Sequence, residues 1–311
     1  MNVLIVGGTR FVGLNITQRL AARGDKVTVA NRGQTPAELP DNVQRLQVDI
    51  SEEGALEKAT EGMIFDATVH MIAMSAASAN VVVEALEGKT GHYVQCGSVG
   101  VYAPLSYIPA DENHPTHPRD VGPGKYVGFS HKLAADEEAQ RLCAEYDIPL
   151  TILRPSAIIG AGMEPIDLWG ARNPKCFQRI IDGKVLSIPN DGRALIQFAH
   201  VGDIADAFVL ALDQPAQTGV FNISSDYAIT LNYYVELLEE AIGRKAVVEY
   251  VPMDELLARY EVAGNIEFLC EHMCYTIKKA RECLGYSPKV TPEEAVADSV
   301  RWMFNQGLIA R

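Results

Sequence analysis

The sequence has no apolar run approaching the roughly 18–20 residues of a membrane span, so no transmembrane segment is expected. No basic leader or cleavage site precedes the first strand-like run, which argues against a secretory signal. Cysteines are few: six in 311 residues, without framework spacing, fit a reducing cytoplasm better than a disulfide scaffold. Basic residues are in deficit, with 27 Lys and Arg against 40 Asp and Glu. The resulting formal charge of −13 disfavours a non-specific nucleic-acid binder, although a local basic patch remains compatible with it. No internal repeat or low-complexity segment stands out.

What is present is an ordinary globular composition, 48% hydrophobic and 22% charged, in a chain long enough to bury a large core. The first half alternates strand and helix. The runs at 3–6, 27–30, 45–48, 66–73, 92–98 and 149–155 are short, β-branched and nearly continuously apolar, as strands buried on both faces are. Helical patterns lie between them at 12–23, about 52–60, 76–87 and about 125–145. This rhythm predicts a doubly wound parallel α/β sheet, a Rossmann domain.

After Pro155 the alternation breaks into a Gly-, Pro- and Asn-rich segment with one helix at 174–183, then returns with "LIQFAHV", a helix at 202–213 and a strand at 219–224. Further helices are expected near 253–260, 276–284 and 292–306, with "AVVEYVP" as a strand. The predicted division is a dinucleotide-binding domain over 1–155 and about 196–224, with a smaller substrate domain over 156–195 and 225–311.

"GGTRFVG" at 7–13 joins the first strand to the first helix. Free amides and the dipole at a helix start cradle a pyrophosphate, and glycines allow its close approach. Gly7, Thr9, Arg10, Phe11, Val12 and Gly13 are therefore the expected cofactor turn, with Arg10 where a G-x-x-G-x-x-G spacing wants glycine. The second strand ends on "ANRG" without the acid that would bind a ribose 2′-hydroxyl and repel a 2′-phosphate. Asn31 takes that position with Arg32 beside it. A guanidinium suits phosphate geometry, so Arg10 and Arg32 favour NADP, with NAD the second choice. Asp49, followed by Ile50, is placed to bond the adenine amino group.

With "VDI", "VHMIA", "GSVGVY", "LRPSAIIG", "FAHVGDIADAFVLAL", "GVFNIS" and "KKARECLGYSP", these motifs resemble, in order and spacing, the extended short-chain dehydrogenase/reductases, the NAD-dependent epimerase/dehydratase group. The arginine variant of the turn is similar to an atypical branch that includes chloroplast stem-loop RNA-binding proteins. The resemblance covers nearly the whole chain. It implies a Rossmann domain with a C-terminal substrate domain, often for nucleotide sugars, and often a homodimer formed through two helices, here about 76–87 and 125–145.

The resemblance also implies a Tyr-x-x-x-Lys pair and a serine, which exchange a proton with a substrate hydroxyl while hydride moves to or from the cofactor. Ser98 and Lys132 match the serine and lysine, but position 128 is glycine. Tyr126, six residues before Lys132, sits roughly 120° off its helical face. Tyr102 and His131 are the other candidates near the nicotinamide end. His70 matches a histidine beneath the cofactor, and Pro155 ends the sixth strand beside it. On the substrate side Arg193, Arg172 and Lys175, with Arg179 nearby, suggest a cationic cleft for an anionic small molecule. Cys270, His272 and Cys274 in "CEHMC" lack a second ligand pair, so no metal is expected.

The expected function is an NADP-dependent oxidoreductase or epimerase acting on a small polar, nucleotide-linked or phosphorylated hydroxyl or carbonyl compound. The alternative is a non-redox dinucleotide-binding regulator or RNA-binding protein on the same fold.

Overall fold

The computed structural model describes residues 1–116, 127–259 and 266–310. In the first half the apolar runs become strands β1 (Asn2–Val6), β2 (Lys26–Asn31), β3 (Val43–Gln47), β4 (Ala67–His70), β5 (Tyr93–Cys96) and β6 (Leu150–Pro155). Helices α1 (Phe11–Arg23), α2 (Ala55–Ala59), α3 (Ala76–Ala85) and α4 (Val127–Glu145) fall between them. The second half adds β7 (Ala157–Ile159), α5 (Pro174–Asp182), β8 (Val185–Pro189), β9 (Leu195–Ile196), β10 (Phe198–His200), α6 (Val201–Asp213) and β11 (Gly219–Ile223). It ends with β12 (Ile229–Thr230), α7 (Leu231–Ile242), β13 (Val247–Val251), α8 (Met253–Arg259), α9 (Lys278–Leu284) and α10 (Pro292–Asn305).

Seven strands form one parallel sheet in the order β3-β2-β1-β4-β5-β6-β11, the doubly wound fold expected. Successive residues of β1 point to opposite faces. Val3 and Ile5 pack with Ile16 and Leu20 of α1 and with Ile204 and Phe208 of α6. Leu4 and Val6 join Val82 and Val83 of α3 and Ala135 and Leu142 of α4. A third core, including Phe177, Leu186, Tyr234, Leu238 and Met303, lies among α5, β8, α7 and α10. The strand order reverses between β1 and β4, where a doubly wound sheet opens a crevice. Val6 pairs with Ala30 on one side and His70 on the other, so Gly7, Asn31 and Met71 stand together at the rim.

Two sequence expectations change. The helix over 52–60 contracts to Ala55–Ala59, because Gly54 at its start takes φ +67° and Asp49 holds Ser51 in a turn. "LIQFAHV" is two strands: β9 pairs antiparallel with β12, and β10 pairs parallel with β7. The partner changes at buried Gln197, whose side chain donates to the Ser225 carbonyl (2.8 Å) and accepts from the Tyr275 amide (2.7 Å). Among the described residues no helix is long and apolar enough to cross a membrane.

Candidate functional site

The turn from β1 into α1 is built by close backbone approach. A Cβ on Gly13 would lie 2.2 Å from the Gly7 carbonyl oxygen, and Gly7 itself has φ +94°. The Thr17 hydroxyl sits 2.9 Å from the carbonyl oxygens of Gly8 and Gly13, tying the turn to the helix. Arg10 is the N-cap, with φ −140° and ψ 148°, an extended conformation that any residue adopts. It caps no amide with its side chain, and the first turn carries no acid. The first amides of α1 have no intrahelical partner, so this end of the helix suits an anion. The strained residue is Phe11, at φ +46°, whose buried ring faces Gly162 in the loop after β7.

Gly7, Arg10, Ile72 and Met74 line two adjoining cavities over the strand ends. The first, about 440 Å³, is also lined by Thr9, Asn31, Arg32, Asp49 and Ile50. The Asn31 carboxamide accepts the Gly33 amide at 2.8 Å, a turn that sets Arg32 outward. Asp49 accepts from the Ser51 amide (3.0 Å) and hydroxyl (2.8 Å). These bonds, helped by the Arg32 charge, hold its carboxyl below the usual carboxylate range.

The second cavity, about 470 Å³, brings Phe11, Val12 and Gly13 together with Ser98, Lys132 and Pro155. Ser98 starts the short 3-10 turn after β5 and accepts the Gly100 amide at 3.1 Å. Lys132 on α4 donates to the Cys96 carbonyl at 2.9 Å, which fixes its ammonium at the end of β5. Gly128 falls in the first turn of α4, so that turn presents no side chain at the position of the motif tyrosine. Tyr126 lies outside the described residues. Among the described lining residues there is no carboxylate, histidine or tyrosine.

The structure does not bring Tyr102 or His131 to the cavity. Tyr102 is buried away from the cavity, and its hydroxyl donates to Asn222 Oδ1 (3.0 Å) and accepts from Arg154 (2.8 Å). Burial pushes its pKa up to about 12, against the pull of Arg154. His131 is exposed on α4 and does not line the cavity. His70 is fully buried and lines neither cavity, with Nδ1 2.6 Å from the Tyr93 hydroxyl. Burial, with a smaller contribution from the Lys132 charge, lowers its pKa to about 3.

The substrate-side expectation is also revised. Arg193 sits on the Asn190–Gly192 turn, 82% exposed and 3.8 Å from Asp191, and Lys175 is exposed at the start of α5; neither lines the cavity. Arg172 does. Its guanidinium donates to the carbonyl oxygens of Glu164 and Ile158, the latter at 3.1 Å. Cys270, His272 and Cys274 lie in a non-helical stretch where His272 Nδ1 accepts the Leu195 amide at 3.3 Å. Among the described residues no group of three His, Cys, Asp or Glu could hold a metal ion.

Sequence reasoning missed a buried polar chain behind Lys132. Asp136, one turn on, accepts Gln95 Nε2 (2.9 Å) and Arg154 Nε (2.9 Å), and Arg154 continues through Tyr102 to Asn222. The i,i+4 spacing of Lys132 and Asp136 was the available signal. It also missed Phe129, Phe268 and Met273 in the cavity wall, which carry no charge to attract notice.

A family model for the NAD-dependent epimerase/dehydratase family matches residues 3–224. The chain is 26% identical to chloroplast stem-loop binding protein of 41 kDa b from Arabidopsis thaliana, over 98% of this chain and 80% of that protein. It is 23% identical to a 2-alkyl-3-oxoalkanoate reductase from Stenotrophomonas maltophilia, over 95% of this chain and 97% of that one. Among solved structures, UDP-glucuronic acid 4-epimerase from Bacillus cereus, in complex with NAD, superposes with a TM-score of 0.78 at 20% identity. That match covers 98% of this chain and 99% of the other. With this sheet, this glycine turn and a family match over more than two thirds of its length, the chain belongs to the NAD-dependent epimerase/dehydratase family, oxidoreductases and epimerases of the extended short-chain dehydrogenase/reductase superfamily.

Proposed function

We propose that the protein is an NADP-dependent oxidoreductase whose dinucleotide lies along the two cavities. The observation that carries this is the uncapped start of α1, closed against Gly7 and opening onto both of them. Gly7, Thr9 and Phe11–Gly13 would hold the pyrophosphate. Asp49 and Ile50 would flank the adenine. Arg32 and Arg10 would take the 2′-phosphate, since β2 ends on Asn31 with no acid to repel it. The cradle fits the group: the first amides of α1 have no intrahelical partner, and the turn is so closely approached that a Cβ at position 13 would meet the Gly7 carbonyl oxygen. The similar epimerase of solved structure carries NAD, and the NADP reading rests on residues 10, 31 and 32 of this chain alone.

When bound, the nicotinamide supplies or accepts hydride. Lys132, fixed by the Cys96 carbonyl, holds a cation at that end, and Ser98 offers its hydroxyl to a substrate oxygen. With Gly128 at the tyrosine position, proton exchange there falls to Ser98 and water, and turnover is expected to be slow. The named relatives act on compounds as unlike as an alkyl oxoalkanoate and a UDP-sugar, so the substrate follows from this cavity rather than from them. Six cysteines without a disulfide support a reducing, cytoplasmic setting.

The test is Arg32→Asp. NADPH affinity should fall about tenfold or more, roughly 1.4 kcal/mol, while NADH affinity holds or rises in the same calorimetric titration. Equal losses for both would remove the 2′-phosphate role.

The absent motif tyrosine and the stem-loop binding relative favour a second reading, a non-redox RNA-binding protein. Salt-sensitive RNA binding at sub-micromolar protein in a gel-shift titration would support it, and no shift would remove it.

A further inference from the structure

The substrate class, which rests on the dinucleotide reading above, follows from the wall of the second cavity beyond Ser98. That wall is made by Phe129, Met163, Ile166, Phe268 and Met273, brought together from separate segments of the chain. It is firmly built. A Cβ on Gly100 would lie 2.2 Å from Phe129 Cδ1, so the ring packs directly against the 3-10 turn that begins at Ser98. Phe129 and Phe268 meet edge to face at 6.2 Å between ring centres. The Met273 amide donates to the Leu195 carbonyl at 2.8 Å, which ties this irregular stretch to β9.

Arg172 is set into this apolar surface. It is half-buried and its guanidinium donates to two carbonyl oxygens; the carboxylates of Glu164 and Asp167 act on it only at longer range, with no ion pair to it among the described residues. Its charge is therefore only partly offset, which is costly away from water, and a ligand anion in the cavity would pair with it directly. The two further cations expected for a nucleotide diphosphate, Arg193 and Lys175, are elsewhere on the surface. A sugar against this wall would leave its hydroxyls facing phenyl rings and thioethers, and unpaired polar groups lose affinity. A hydrocarbon tail would be favoured there, at about 0.8 kcal/mol per buried methylene.

We propose that the cavity takes a small carboxylic acid bearing a hydroxyl or oxo group and a hydrocarbon tail. The carboxylate meets Arg172, the tail lies along Phe129, Phe268 and Met273, and the oxygen faces Ser98.

The test titrates NADP-saturated protein with 3-hydroxydecanoate, its methyl ester and UDP-glucose by calorimetry, after NADPH binding has been measured separately. The acid should bind at least tenfold more tightly than either other probe. In Arg172→Gln the acid should fall to the level of the ester, and the ester should be unchanged. Tighter binding of UDP-glucose, equal binding of acid and ester, or no acid binding beside intact NADPH binding would each overturn the inference alone. Failure to bind NADPH would remove the dinucleotide reading and this inference with it. If Arg172→Gln does not fold, the acid-to-ester ratio in the natural protein decides.

Discussion

Arg10 takes the place that glycine would hold in a G-x-x-G-x-x-G turn, and its backbone explains why it can. At φ −140° it is extended, so a long side chain adds a cation at no conformational cost. The constraint moves one residue along, to Phe11 at φ +46°, a conformation that side chains rarely adopt. His70 makes a different use of a single position. Expected from sequence beneath the cofactor, it is fully buried and held neutral, with its pKa lowered to about 3. The unfolded chain takes up this proton near pH 6.5 and the folded protein does not. His70 therefore adds stability that is complete above pH 6.5 and is lost as pH falls toward 3. Between pH 7 and pH 5 that loss is about 2 kcal/mol. His70→Gln, which keeps a partner for the Tyr93 hydroxyl, should show a correspondingly smaller drop in urea unfolding free energy over that interval. An equal drop would contradict the assignment.

At the scale of elements, α4 does two things with one face. Lys132 reaches the cavity while Asp136, one turn further, enters the buried chain through Arg154 and Tyr102 to Asn222. Asp136 and Arg154 are both almost wholly inaccessible. Breaking a buried pair from one side leaves the other charge uncompensated, at a cost of about 3–5 kcal/mol. Asp136→Leu and Arg154→Met should each lower stability by that amount in denaturant titrations, and the double variant should recover much of the loss. Additive losses would show that the pair does not act as a unit. The strands of the sheet were legible because they are continuous apolar runs between glycine turns and amphipathic helices. The split of 195–200 into β9 and β10 was not, since the change of partner depends on Gln197 meeting Ser225 and Tyr275, which are remote in sequence. Arg193 and Tyr102 lie away from the cavity for a related reason. Sequence position put them near the site, while packing turned one to solvent and gave the other's hydroxyl to Arg154 and Asn222.

Over the whole molecule, an acidic chain of net charge −13 gathers Arg10, Arg32, Lys132 and Arg172 along the open edge of its sheet. The cofactor half of that line follows from local sequence, because a strand, a glycine turn and a helix start are contiguous. The substrate half does not, because its wall comes from residues near 100, 129, 163, 172 and 270 that only the fold brings together. The central claim is that this edge binds a nicotinamide dinucleotide. Its most direct test is titration of the purified protein with NADPH, following nicotinamide fluorescence, beside Gly13→Ala, whose methyl would meet the Gly7 carbonyl oxygen 2.2 Å away. Saturable enhancement at one NADPH per chain is expected for the natural protein, with loss of binding in Gly13→Ala. No fluorescence change in the natural protein, or equal binding in the variant, would contradict it.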